Sequence, residues 1–205
     1  MCRAQDLLTS WPLRCAPATT TWPSGCWLPW LLSRVGGTLA GGLTHAAEVL
    51  ARQGADTRGL HLADGSGLSR ENRLTARLLV DVLSAQYYRP YALAPARSAA
   101  DPLALYQNHL NAYAEALPLA GYQEPGAPYH AGRGGTLEDR LTGSGLDVRA
   151  KTGTLPGVSA LAGYMTAQSG HVLAFAVLMN GPETVSIPAL RATQDELLRL
   201  LAARY

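Results

Sequence analysis

The chain has 205 residues, 47% of them hydrophobic and 16% charged, which is enough to fold around a core as one domain. Its formal net charge of +2 excludes a strongly basic nucleic-acid binder and gives no field able to steer charged partners. No apolar run reaches the roughly eighteen residues that a bilayer-spanning helix needs, so no transmembrane segment is expected.

Residues 1–35 differ from everything after them. All four tryptophans (Trp11, Trp22, Trp27, Trp30) and all three cysteines (Cys2, Cys15, Cys26) lie there. Asp6 is the only acid before Glu48, and Pro12, Pro17, Pro23 and Pro29 interrupt any helical or strand period. A signal peptide fits poorly, because the apolar stretch 26–32 is short, is broken by Pro29 and lacks an adjacent basic region. Three cysteines at these spacings match no zinc or disulfide pattern. A disordered tail fits the prolines but not the tryptophans. A fourth reading is translation out of frame. Taken from the third base of each codon, residues 17–30 can encode Ser-Asp-Asn-Asp-Val-Ala-Glu-Arg-Leu-Leu-Ala-Ala-Val-Ala when the free third bases are C or G. That run is amphipathic and of ordinary composition.

From residue 36 onward the pattern is globular. Residues 38–53 read as a helix, with Leu39, Leu43, Ala46 and Leu50 on one side and Gly54 at the C-terminal cap. A short strand is expected over 59–63, a loop over 64–67 and a helix over 75–84. Residues 89–100 read as a Pro- and Ala-rich connector. Asp101-Pro102 then opens a helix running to about Leu117 along Leu103, Tyr106, Leu110 and Tyr113. Residues 118–135 are loop-like, and a short helix is expected near 137–141. Strands over 148–155, 158–166 and 171–179, joined by Pro156-Gly157 and Gln168-Ser169-Gly170, predict an antiparallel meander. Residues 190–203 close the chain as a helix. Helices followed by a meander and a further helix predict an α+β fold, an antiparallel sheet with helices on its faces.

Lysine is scarce: of 17 basic residues only Lys151 is a lysine. It stands in Val148-Arg149-Ala150-Lys151-Thr152-Gly153-Thr154-Leu155-Pro156-Gly157-Val158, on a predicted strand before a turn. An ammonium at a strand edge can hold a carboxylate as a point charge, and a threonine hydroxyl can donate to the same group. A glycine lets a peptide approach the edge.

This stretch resembles the Lys-Thr-Gly strand and following hairpin of the serine D-alanyl-D-alanine carboxypeptidases, in the low-molecular-mass class C penicillin-binding proteins that also act as endopeptidases. Leu62-Ala63-Asp64-Gly65-Ser66-Gly67-Leu68-Ser69 resembles that family's Asp-Gly-Ser-Gly-Leu-Ser loop. Leu117-Pro118-Leu119-Ala120-Gly121-Tyr122 and Gly135-Thr136-Leu137-Glu138-Asp139-Arg140 are weaker matches in the family's order. The resemblance implies the penicillin-binding transpeptidase fold, related to that of the serine β-lactamases, with its N-terminal part missing. It implies that Lys151 and Thr152 hold the terminal carboxylate of a peptidoglycan stem peptide ending in D-Ala-D-Ala, or that of a β-lactam in the parent enzyme. Gly153 and Thr154 would supply strand contacts, and the Thr154 backbone one oxyanion donor. Asp64, Ser66 and Ser69 would border the site. The implied setting is extracytoplasmic. Neither metal nor organic cofactor is implied.

The same chemistry needs Ser-x-x-Lys for the nucleophile and its base, and Ser-x-Asn beside them. Residue 148, three before the only lysine, is Val148, so Ser-x-x-Lys is missing. No serine has an asparagine two positions on. The out-of-frame reading of residues 17–30 begins Ser-Asp-Asn, upstream of the Asp64 loop, where the family carries that motif. Ser66 and Ser144 each lie between glycines without forming Gly-x-Ser-x-Gly, and read as loop residues. His45, His61, His109, His130 and His171 show no ligand spacing and read as structural or solvated.

The expectation is therefore an anomalous out-of-frame or disordered segment at 1–35, and the C-terminal part of a DD-peptidase domain at 36–205. The parent activity would be carboxypeptidase cleavage through an acyl-serine. This chain alone would not turn over. The alternatives are a non-catalytic D-Ala-D-Ala peptide-binding module and a non-functional frameshift remnant.

Overall fold

The computed structural model describes residues 38–93 and 101–205. The anomalous segment predicted at 1–35, and residues 94–100 of the predicted connector, lie outside the described residues.

Helix α1 spans Leu39–Arg52, and the Thr38 hydroxyl caps it by accepting from the Gly41 amide at 3.1 Å. Gly54, at φ 84°, ends it in the left-handed region that glycine favours. The strand predicted over 59–63 is not formed. Only His61 pairs, across an isolated bridge to Arg73, because Gly59 turns the chain before it and the Asp64 loop turns it after. Helix α2 spans Ala76–Leu93 and so runs past the expected stop at Ser84 and past Pro90. Tyr87 explains the extension. Its ring stacks 5.9 Å from Tyr106 and 6.0 Å from Tyr164, so the second helical half has its own core to bury against.

The single helix predicted over 101–117 is two short ones, α3 (Pro102–Gln107) and α4 (Ala112–Glu115). Asp101 caps the first, as its sequence signature required. The break comes from His109, at φ 59°, and from Asn111, whose carboxamide caps α4 and donates to Gln86 and Tyr87 carbonyls of α2. The short helix expected near 137–141 is a 3-10 turn over Gly135–Leu137.

Strands β1 (Val148–Leu155) and β2 (Val158–Thr166) have the bounds the alternation predicts, and β3 (Val172–Asn180) starts one residue later. They pair antiparallel in the order β1-β2-β3, with Lys151 opposite Ala162 and Thr152 opposite Leu161. Helix α5 (Ile187–Arg204) begins earlier than expected because Ser186 caps it.

The period-two alternation of the strands divides the core in two. Val148, Ala150, Leu161, Met165 and Phe175 pack against Leu137, Leu141, and Leu198 and Ala202 of α5. Tyr164, Ala162 and Ala174 pack on the other face against Leu83, Tyr106 and Ala114. The Tyr164 hydroxyl donates to the Leu83 carbonyl at 2.6 Å, whereas the buried Tyr106 hydroxyl of the same layer has no hydrogen-bond partner among the described residues. The result is the predicted α+β layering, with α5 on one face and α2 to α4 on the other. Among the described residues no helix is long and apolar enough to cross a membrane.

Candidate active site

Register decides which atoms of β1 face outward. In a β-strand the N–H and C=O of one residue point to the same side and alternate along the chain. Ala150 N–H donates to the Pro118 carbonyl and the Val148 carbonyl accepts from Ala120 N–H, so even-numbered residues face the outer edge. Residues 118–120 cover that edge only as far as Ala150. Beyond it, the backbone groups of Thr152 and Thr154 face outward, and among the described residues no backbone segment pairs with them. The Lys151 ammonium reaches this edge, donating to the Thr152 carbonyl at 2.7 Å.

The side chains alternate between the faces. Lys151 and Gly153, opposite Ala162 and Ala160, lie on the face of Tyr164. A Cβ on Gly153 would lie 3.4 Å from the Ala160 Cβ, an ordinary contact, so the glycine leaves open space beside Lys151 rather than avoiding a clash. Thr152 and Thr154 lie on the α5 face. There the Thr152 hydroxyl meets the Thr136 hydroxyl at 2.7 Å, and Thr154 Oγ1 accepts from the Arg191 guanidinium at 3.3 Å.

The 64–72 loop is built around one carboxylate. Asp64 accepts from the Asn72 carboxamide at 2.7 Å, from the Ser66 hydroxyl and from the Gly67 and Ser69 amides. The Asn72 hydrogen bond, with those from Ser66, Gly67 and Ser69, lowers its pKa to about 2. The carboxyl is thus a fixed anion at neutral pH. Ser66 donates to it, and the Ser69 hydroxyl accepts from Glu71 N–H, so both hydroxyls are engaged within the loop. Arg70 joins the loop to the β1–β2 turn, donating to the Pro156 carbonyl at 2.7 Å while pairing with Glu183.

The structure thus brings Lys151 to Thr154 together on one open edge. Asp64, Ser66 and Ser69 contact one another and reach the strand through Arg70. Sequence reasoning assigned no role to Thr136, Arg70 or Arg191. Thr136 lay in a segment already matched to the family, whereas nothing in the sequence marked Arg191.

A family model for the D-Ala-D-Ala carboxypeptidase 3 (S13) family matches residues 32–204. The chain belongs to that family.

Similar proteins include the D-alanyl-D-alanine carboxypeptidase of Actinomadura sp. (strain R39), 39% identical over 168 residues. That match covers 81% of this chain and 26% of the relative. Carboxypeptidase DacB of Mycolicibacterium smegmatis is 38% identical over 148 residues, covering 68% of this chain and 26% of the relative. Among solved structures, penicillin binding protein 4 (dacB) of Haemophilus influenzae, complexed with a β-lactam, superposes with a TM-score of 0.58 at 29% identity. It covers 80% of this chain and 33% of that one. The chain therefore spans about a quarter of the length of these curated relatives. The S13 match takes in all of the described sheet, including the Lys151 edge and the Thr136 turn.

Proposed function

We propose that this chain carries the carboxylate-holding edge of a serine-type D-Ala-D-Ala carboxypeptidase. One observation carries the reading: among the described residues no backbone segment pairs with the outward groups of Thr152 and Thr154, which stand beside the only lysine of the chain. An extended peptide would add to this edge as a further strand. Its terminal carboxylate would lie between the Lys151 ammonium and the Thr152 hydroxyl. The carbonyl of its last peptide bond would face the Thr154 N–H, the position of an oxyanion donor. The substrate class is a peptidoglycan stem peptide ending in D-Ala-D-Ala, and β-lactams would bind the same edge of the parent enzyme. The setting is the extracytoplasmic side of the membrane. The groups named need neither a metal nor an organic cofactor.

In the parent reaction a serine attacks that carbonyl, the peptide bond breaks, the terminal D-Ala leaves with a proton, and water then hydrolyses the acyl-serine. This sequence contains neither Ser-x-x-Lys nor Ser-x-Asn. The chain itself would therefore bind peptide without cleaving it. The Ser-Asp-Asn reading of residues 17–30 supports a frameshift origin for residues 1–35. Genomic sequencing from well upstream of the Met1 codon through that of Gly37 tests this point.

Binding is tested with an acyl-D-Ala-D-Ala dipeptide and its C-terminal carboxamide. Hydrogen bonds to charged groups contribute about 1.5–3 kcal/mol, or about 10- to 100-fold in affinity. Lys151→Ala is expected to weaken binding of the acid by that factor and to leave the amide unaffected. Equal affinities of Lys151→Ala and the unaltered chain for the acid would refute the reading.

A further inference from the structure

We infer that Thr136 is a positioning residue for the carboxylate site, acting through the Thr152 hydroxyl. The inference rests on the function proposed above and concerns a group that contacts Thr152 rather than the peptide.

Hydrogen count sets the argument. Thr136 Oγ1 and Thr152 Oγ1 stand 2.7 Å apart, and either can be the donor. Two hydroxyls carry two hydrogens, and their mutual bond uses one. If Thr152 donates inward to Thr136, it has no hydrogen left for a carboxylate. If Thr136 donates to Thr152, the Thr152 hydrogen is free to point at the edge. Among the described residues neither hydroxyl has another hydrogen-bond partner. A bound carboxylate therefore selects the second arrangement, in which both hydrogens are used. The Thr136 donor then polarises the Thr152 hydroxyl and strengthens its bond to the anion. It also holds Thr152 in one χ1 rotamer before the ligand arrives, which lowers the ordering cost of binding.

The turn that presents Thr136 is itself held on several sides. Leu137 is 1% exposed in the core below it. Gly121 N–H donates to the Leu137 carbonyl and Leu119 N–H to the Arg133 carbonyl. His130 contributes two contacts, its N–H to Glu138 at 2.9 Å and its ring Nδ1 to the Gly135 carbonyl at 2.8 Å. Gly134 lies so close to the Tyr122 carbonyl that a Cβ would come within 1.9 Å of that oxygen. The hydroxyl of Thr136 therefore projects from a backbone with little freedom, as a preorganised supporting group requires.

The test is a double-mutant cycle on the full chain, read by titration with the acyl-D-Ala-D-Ala acid and its carboxamide. Thr136→Val is expected to weaken binding of the acid about 3- to 10-fold, the range of one neutral hydrogen bond. Thr136→Ser, which keeps the hydroxyl, is expected to stay within about twofold. In a Thr152→Val background Thr136→Val is expected to cost nothing further, because its only route to the ligand is gone. A merely structural role would instead weaken the acid in both backgrounds and defeat Thr136→Ser rescue. If the unaltered chain prefers the acid and Thr136→Val binds it equally well, the inference is overturned while the carboxylate reading stands. If the unaltered chain shows no preference for the acid over the amide, both fall.

Discussion

Incubation of the chain with benzylpenicillin is expected to leave its intact mass unchanged. A β-lactam is opened by a serine whose proton passes to a neighbouring base, and the only lysine available stands three residues after Val148. Several of the described serines are engaged locally. Ser66 donates to Asp64, Ser144 donates to the Leu141 carbonyl, and Ser159 is buried against Gln194. Ser169 meets His171 Nδ1 at 2.9 Å, a pairing of the nucleophile–base kind, but it lies in the β2–β3 turn. That turn follows Thr166, whereas Lys151 pairs with Ala162 four residues earlier in β2, so the two stand about 14 Å or more apart along the sheet. Removal of the nucleophile from a serine peptidase costs about a millionfold in turnover. No adduct is therefore expected over hours. A stoichiometric adduct, mapped to any serine by peptide mass, would show that the chain contains a nucleophile that the motif argument missed.

Gly163→Ala is expected to destabilise the fold by about 3 kcal/mol, which for a chain of this size lowers Tm by about 6–12 °C. Gly163 pairs with Ala150 in β1. A Cβ there would lie 2.0 Å from the Arg149 carbonyl oxygen and 2.5 Å from the Ala150 Cα. Both are backbone atoms, which cannot rotate aside, so β1 must move away from β2. The moved segment immediately precedes Lys151, and peptide binding should weaken along with stability. Gly153→Ala is the control, since its Cβ meets only Ala160 at 3.4 Å. A far-UV melt decides the matter. An unchanged Tm for Gly163→Ala would mean that the strands are not in this close register.

These two expectations draw on different parts of what the sequence discloses. The meander was legible because three alternating runs met at turns whose glycines, Gly157 at φ 72° and Gly170 at φ 84°, adopt the conformation that the residue type suggested. Caps made Asp101 legible as a helix start and Gly54 as a helix end. The break between α3 and α4 was not legible. Leu103, Tyr106, Leu110 and Tyr113 keep a helical spacing across it, yet Leu110 is 64% exposed. What ends the helix is tertiary, the Asn111 carboxamide reaching α2 carbonyls some 25 residues away in sequence. The same holds at the site. The Lys151-Thr152-Gly153 run was legible as a unit because its residues are adjacent. The Thr136 support lies 16 residues from Thr152 and the Arg191 support 37 from Thr154. No local pattern records such contacts, because they exist only after the turn, the strand and α5 have packed. The orientation of the edge was also not readable from residue types. It follows from the pairing of residues 118–120 with β1, which fixes the parity that turns Thr152 and Thr154 outward.

The central claim is that the β1 edge holds a peptide carboxylate and that the chain does nothing further to it. An amide-resolved NMR titration of the uniformly 15N-labelled chain with the acyl-D-Ala-D-Ala acid addresses both halves in one sample. Saturable shifts confined to residues 151–155 and the turn at 135–137, with no free D-alanine in the sample after a day, are the predicted result. Shifts centred elsewhere on the molecule, or steady release of D-alanine, would contradict it.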